Sequence, residues 1–289
     1  MQVIENEWLK VTIQPRGAEL TGLFNKQTGL EYLWDGDPQY WAKHSPVLFP
    51  IVGTLKENCY LYNGKSYSLS RHGFAREQLF GVEKISEDKV TYLLNDSPET
   101  HVVYPFTFSF RIHYQLKKDH LDVQYQILNT NDGLLYFSIG AHPAFRVPLT
   151  PGTDYNDYYL KFEQPETTSR WLITAEGLIS RQAVPLLEDT NKLYLTKSLF
   201  HKDAVVLKGL RSQSVQLRCD LNQHGITMNF PGFPYFGIWA ARDADFVCLE
   251  PWCGIADHED ANQLLTTKEG IQMIGGGEEF KRMWSVHCF

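Results

Sequence analysis

The sequence predicts an all-β fold: an antiparallel sandwich in one domain spanning residues 1–289. Apolar residues recur at every second position through several runs, which is the period of a half-buried strand. Polar turn signals separate these runs. No stretch keeps a helical period long enough for a βαβ unit, which argues against a parallel doubly wound sheet. A chain of 289 residues falls within the range of one large sandwich.

Along the chain, Val11-Thr12-Ile13-Gln14 is the first alternating run, leading into Arg16-Gly17-Ala18-Glu19-Leu20. Residues 38–43 suggest a short helix with Trp41 packing inward. Asn63-Gly64 is a hairpin turn signal, and 89–94 is a strand-like run. Phe106, Phe108, Phe110, Ile112, Tyr114 and Leu116 alternate with polar or small residues, and after Lys117-Lys118-Asp119-His120 the alternation resumes at Leu121, Val123, Tyr125 and Ile127. Two such runs around a polar turn make a β-hairpin. Asn131-Asp132-Gly133 is a further turn. Strands are expected at 158–162, 204–207 and 214–218, and a second short helix at 257–265. Gly275-Gly276-Gly277 reads as a turn before the last strand, because no strand-to-helix unit makes it a phosphate cradle.

Composition narrows the function classes. The net charge of −7 argues against nucleic acid, whose phosphates need a basic surface. No apolar run approaches the roughly 20 residues that span a bilayer, so no membrane partner is expected. The first residues lack a charged region followed by an apolar one, so no signal peptide is expected and the cytoplasm is the expected location. The five cysteines are an odd number without compact spacing, which argues against a disulfide framework. Cys248 and Cys253 are poorly spaced for zinc without other clustered ligands, so no metal is expected. No cofactor motif is present. Aromatics make up 13% of the chain; they favour strands, and β-core packing accounts for most of them, while such rings also stack on sugar C–H faces.

Three separated motifs each offer one acid/base group at the end of a strand-like run. They are His72 in Ser70-Arg71-His72-Gly73-Phe74-Ala75-Arg76-Glu77, His142 in Ser138-Ile139-Gly140-Ala141-His142-Pro143-Ala144-Phe145, and Glu250 in Cys248-Leu249-Glu250-Pro251-Trp252-Cys253-Gly254. A carboxylate and two imidazoles that converge make a proton-transfer site, and imidazole ordinarily titrates near neutral pH. Taken singly, each has a structural reading: Glu250 as a surface residue, His142 as a half-buried histidine. Gly73 suggests a tight backbone beside His72, and Gly140 and Ala141 suggest room for a ligand beside His142. His44 and His113, in apolar company, read as packing residues. One strong carboxylate does not suit a glycosidase, which needs two.

The order His…His…Glu with these flanks resembles the aldose 1-epimerases (galactose mutarotases), in particular the branch that contains LacX. The likeness runs from Asn6 to Trp284. It implies a β-supersandwich, two curved sheets around a cleft, and reversible opening and closing of a sugar ring. It further implies Glu250 as the base at the anomeric hydroxyl, His142 as the acid at the ring oxygen, and His72 as a polarising partner near that oxygen. Asp203 matches a position that binds sugar hydroxyls, with a loop Asp at a strand start as its structural alternative. Arg76 could meet a sugar hydroxyl or a phosphate, or pair with a carboxylate near Glu77. The segment 49–58 resembles the stretch that supplies a substrate-binding Arg, but Thr54 stands where this branch tends to have that Arg. The cation would then come from Lys56 or Arg71, and an Arg fork and a Lys point charge differ in sugar preference. The implied substrate is a free hexose such as galactose or glucose. The alternatives are a hexose 6-phosphate, or a sugar-binding or regulatory role on the same fold. The oligomeric state is left open.

Overall fold

A computed structural model describes residues 1–289. The alternating runs become antiparallel strands. Phe108–Lys117 and His120–Asn129 pair from Phe108↔Asn129 to Lys117↔His120. Their apolar positions are buried and the intervening ones half-exposed, as a period of two requires. They sit near one end of a 14-stranded antiparallel sheet. Its edge is Gly81–Ile85, exposed along its length and carrying Glu83 and Lys84, charges that discourage edge-to-edge pairing. From His120–Asn129 the sheet continues through Glu279–Cys288, Ile226–Asn229 and Ser214–Cys219 to Tyr158–Ile173, then Val205–Lys208, Tyr235–Trp239 and Phe246–Cys253.

A four-stranded sheet, Gln2–Glu5, Leu9–Ile13, Leu20–Asn25 and Leu30–Glu31, backs this assembly. Two buried tyrosines tie the layers together: Tyr92 Oη donates to Ile13 O, and Tyr114 Oη donates to Ala18 O at 2.7 Å. One core of 71 buried residues runs between the layers, and a separate cluster of 8, which includes Val206 and Trp252, underlies a cavity described below. The Asn63-Gly64 turn has positive φ at both residues, 48° and 74°, and joins Cys59–Tyr62 to Lys65–Ser68. The glycine run at 275–277 precedes the last strand, Glu279–Cys288. All five cysteines are free. No helix is long and apolar enough to cross a membrane.

Neither expected helix forms. At 38–43 a single turn is closed by Asp37, whose carbonyl accepts from Tyr40 and Trp41 N–H and whose carboxylate accepts from Gln39 N–H. Pro46 then keeps the preceding residue extended. At 257–265 the backbone is engaged by other segments, Asp257 N–H donating to Thr54 O and Glu259 N–H to Ile179 O, and side chains are engaged as well. The Asp257 carboxylate accepts from Lys56 N–H, and the Asn262 amide oxygen from Leu264 N–H. The α-helix that does form, Pro98–Val103, starts at Ser97, which exchanges hydrogen bonds with Thr100, and has Pro98 in its first turn. That Ser-Pro-x-x-type start is a recognisable cap. His113 is not in apolar packing; it bonds Thr91 Oγ1 at 2.9 Å and Gln126 Oε1 at 2.8 Å.

Candidate active site

The strand Phe246–Cys253 is buried at all eight residues and delivers Glu250 into the interior, where it is 1% exposed. Two short segments pair along it: Gly140 opposite Trp252 and Ala144 opposite Cys248. Antiparallel counting between those pairs places His142 across from Glu250, and His142 Nε2 lies 3.3 Å from Glu250 Oε2. Gly140 makes room for a side chain rather than for a ligand. A Cβ there would stand 2.6 Å from the Trp252 indole, and one at Gly237, on the other neighbouring strand, would also strike that ring.

His72 arrives on a loop stitched to the same region. Phe49 N–H donates to His72 O, His72 N–H donates to Gly53 O, and Leu48 pairs with Gly140. His72 and Gly73 are both left-handed, with φ of 69° and 73°. A Cβ on Gly73 would overlap the Phe49 carbonyl, so the tight backbone read from the sequence is present. The two imidazole rings meet edge to face at 5.7 Å. Donors approach both nitrogens of His72: Gly53 N–H at Nδ1, 3.1 Å, and Arg71 Nε at Nε2, 3.3 Å. A neutral imidazole accepts at one nitrogen. Both approaching groups are donors, so a neutral His72 satisfies one of them and turns its own N–H toward the other.

These groups line one cavity of about 330 Å³, together with Arg71, Arg76, Asp203, Trp41, Trp239 and Trp252. Trp41 stacks on the His142 ring at 5.0 Å, and Trp239 meets it edge-on at 5.6 Å. Burial sets the electrostatics. It pushes Glu250 well above the usual carboxylate range, with the Arg71 charge opposing. It lowers His142 to about 3. His72 is lowered by burial first, then by His142 and the two arginines. Glu250 Oε2, His142 Nδ1 and Trp252 Nε1 are buried without a hydrogen-bond partner in the protein. Such groups are costly to leave unpaired, and here they lie around one cavity.

Six of the seven residues singled out in the sequence therefore meet. Arg71 Nη2 lies 3.5 Å from Asp203 Oδ1. Arg76 donates to Arg71 O at 2.9 Å and stays 3.9 Å from Glu77, whose closer partner is Lys43 at 2.8 Å. Lys56 is the exception. Its amine donates to Ala261 O at 3.3 Å, outside the cavity, because its backbone is pinned to Asp257 and its side chain follows that loop. Of the two cations considered, Arg71 is the one in the cavity. The sequence reading missed the tryptophan wall: Trp41 appeared only as an inward-packing ring, and Trp252 only as a flank of Glu250. Cys248, His142 and Glu250 present ligand atoms within 4.8 Å of one another. Burial pushes the Cys248 thiol up, and a thiol kept protonated is a poor metal ligand, so Cys248 reads as core.

The family profile described as Aldose 1-epimerase matches residues 1–265. The plasmid-encoded protein LacX of Lactococcus lactis subsp. lactis is 35% identical over 293 aligned residues, covering 98% of this chain and 97% of that protein. Among solved structures, a galactose mutarotase related enzyme from Lactobacillus acidophilus superposes with a TM-score of 0.95 at 35% identity, over 100% of this chain and 97% of the other. A galactose mutarotase-like protein from Lactobacillus casei ATCC 334 gives 0.94 at 32% identity, over 100% of both chains.

Proposed function

Because the chain belongs to the aldose 1-epimerase family, with LacX among its relatives, we propose that it interconverts the α and β anomers of a free hexose, such as galactose or glucose, by ring opening and reclosure. The observation that carries this reading is the buried contact of His142 with Glu250, 3.3 Å, beside the His72 ring. Glu250 takes the proton of the anomeric hydroxyl while His142 gives one to the ring oxygen, and the C1–O5 bond breaks. The aldehyde turns about C1–C2. The two groups then exchange roles, returning the proton at O1 after attack on the other face.

The environment suits these roles. Burial favours the neutral pair, a protonated Glu250 beside an unprotonated His142, so the proton passes across their 3.3 Å contact to His142 as the sugar binds; in the charged form so reached, Glu250 is a strong base and His142 a strong acid. His72, whose ring meets that of His142 at 5.7 Å, is the group to polarise the ring oxygen. Arg71, Arg76 and Asp203 are available for the remaining hydroxyls, and the tryptophans for C–H faces. Arg71 lines the cavity and Lys56 does not, which supports Arg71 over Lys56 as the substrate cation. No separate phosphate pocket accompanies the two arginines, and Arg71 already has Asp203 as its counter-charge, so a free hexose is preferred over its 6-phosphate. The same reading takes 1–289 as one domain, and four buried thiols among five suit a reducing compartment such as the cytoplasm.

The test is saturation-transfer NMR of anomer exchange for galactose, glucose and their 6-phosphates, with the parent protein and Glu250→Gln compared. The parent accelerates exchange of the free sugars, and the variant loses at least about 10²-fold, the scale of a general base. A folded Glu250→Gln variant of parental rate would remove Glu250 from the mechanism. A parent that accelerates no sugar would move the protein to a binding role.

A further inference from the structure

We infer that the tip of one long hairpin is the wall that restricts this cavity to single sugar rings and excludes reducing disaccharides. The identity of the ligand as a sugar rests on the mutarotase reading above. The wall itself rests on the geometry that follows.

The hairpin arms are Tyr158–Ile173 and Ile179–Tyr194. They pair through several register shifts, and the first arm joins the main sheet at 158–162 and again only at Trp171↔Val206. The far end reaches the cavity, where Ile173, Gly177 and Ile179 form part of its lining. Gly177 has φ +80°, and a Cβ there would stand 2.8 Å from Thr54 Oγ1 and 3.6 Å from Arg71 Nη1. The tip backbone thus lies close to Thr54 and to the Arg71 side chain.

The tip is held down. Ile179 N–H donates to Asp257 O at 2.8 Å, Glu259 N–H donates to Ile179 O at 3.1 Å, and Asp257 N–H donates to Thr54 O at 2.8 Å. Asp257 is itself fixed by Lys268 at 2.6 Å, with both side chains buried. Farther out, Arg181 grips Asp260 with Nε at 3.0 Å and Nη2 at 2.9 Å. These bonds make the tip a fixed wall.

In the proposed reading, a ring with C1 at Glu250 and its oxygen at His72 would have its far side among the other residues of the lining, which include Arg71, Asp203 and the tip. The cavity of about 330 Å³ is at the small end of ligand pockets, about 300–1,000 Å³. A second sugar on O4 or O6 would roughly double the ligand and meet this wall.

The experiment compares galactose and glucose with lactose, extended from O4, and melibiose, extended from O6. Anomer exchange and quenching of tryptophan fluorescence are both read, since Trp41, Trp239 and Trp252 line the cavity. The proteins are the parent, a variant with 174–178 replaced by Asn-Gly, and an Ile173→Ala/Ile179→Ala double variant that widens the wall if the shortened loop fails to fold. The parent should handle disaccharides at least about tenfold less well in kcat/KM than monosaccharides, and a folded variant should narrow that ratio by about tenfold, the scale of a steric filter. Equal use of both sugar sizes by the parent overturns the inference. So does a ratio unchanged in a folded variant. If no sugar is turned over, the functional reading fails separately. Quenching by monosaccharides alone would then still support the wall, and quenching by both or by neither would overturn it.

Discussion

Glu250 and His142 are moved in opposite directions by one cause, removal from water. Glu250 rises well above its ordinary 4.5, while His142 falls to about 3. Between those two values the pair holds one proton. The proposed reaction needs that count, since it takes a proton at O1 and returns one at O5. The pH profile of kcat/KM, from about pH 4 to about pH 9 and corrected for spontaneous mutarotation, should therefore show no rising limb near the imidazole value of 6.5. Its one limb is a fall, where rising pH strips the shared proton above the ordinary carboxylate range. A rise centred near 6.5 would contradict the shared-proton pair. The same shift predicts a stability slope. The folded chain keeps a proton on Glu250 at pH values where the unfolded chain has released it, so Glu250 lowers stability as pH rises from about 4.5 toward its folded value. Thermal melts across this range should show the slope in the parent and a shallower one in Glu250→Gln; equal slopes would mean that Glu250 is not perturbed by folding. The His142 and Glu250 positions were legible in the sequence because each ends an apolar run with a polar group before proline, and the His72 position because of its His-Gly-Phe-Ala-Arg motif. Their titration was not, because a local motif does not state how deeply it is buried. Lys56 was misread for a related reason: spacing along the chain does not show which way a loop turns its side chains.

The elements that hold these residues are short, and two of them depend on backbone detail. His72 stays in a left-handed conformation only because the segment 48–53 binds it on both sides, through Phe49 N–H and Gly53 O. Gly73 shares the conformation, and a Cβ on it would overlap Phe49. Gly73→Ala should therefore cost at least about 1–2 kcal/mol, from the left-handed penalty alone, with displacement of the ring added. Chemical denaturation reads the first effect and anomer exchange the second; a variant with parental stability and rate would show that the loop is not constrained there. That glycine was legible, as were the Asn63-Gly64 turn and the strands 108–117 and 120–129, because period-two patterns and turn chemistry are local. The failed helices show the limit. Residues 38–43 and 257–265 have tolerable helical patterns, yet Asp37 and Asn262 spend their side chains on neighbouring N–H groups, and Asp257 and Glu259 give their own N–H groups to Thr54 and Ile179. The long hairpin went unread because Pro165 and Pro185 and its exposed second arm break the alternation.

At the scale of the whole molecule, the site is assembled from Trp41, His72, His142, Asp203, Trp239 and Glu250, which lie in loops and strands spread over most of the chain. The main sheet brings them together through non-consecutive neighbours: Phe246–Cys253 beside Tyr235–Trp239 on one side and Ile139–Gly140 on the other. The sandwich class followed from periodicity, but strand order is set by long-range pairing that no local window contains. This dispersal has a thermodynamic consequence. A ligand that touches so many segments binds the folded chain and not the unfolded one, so it stabilises the entire fold by linkage. At a hexose concentration of about one hundred times Kd the gain is about 2.7 kcal/mol, which for a chain of this size raises Tm by about 5 °C. Glu250→Gln keeps the walls, the arginines and the tryptophans, so it should retain a ligand-dependent rise in Tm even where anomer exchange is lost. Differential scanning calorimetry against galactose, glucose and their 6-phosphates measures both the shift and its sugar preference. A shift present in the parent and absent in Glu250→Gln would make Glu250 a principal binding group as well as a base. A shift absent in both, at concentrations where exchange is saturated, would place the reacting sugar outside the cavity formed by these segments.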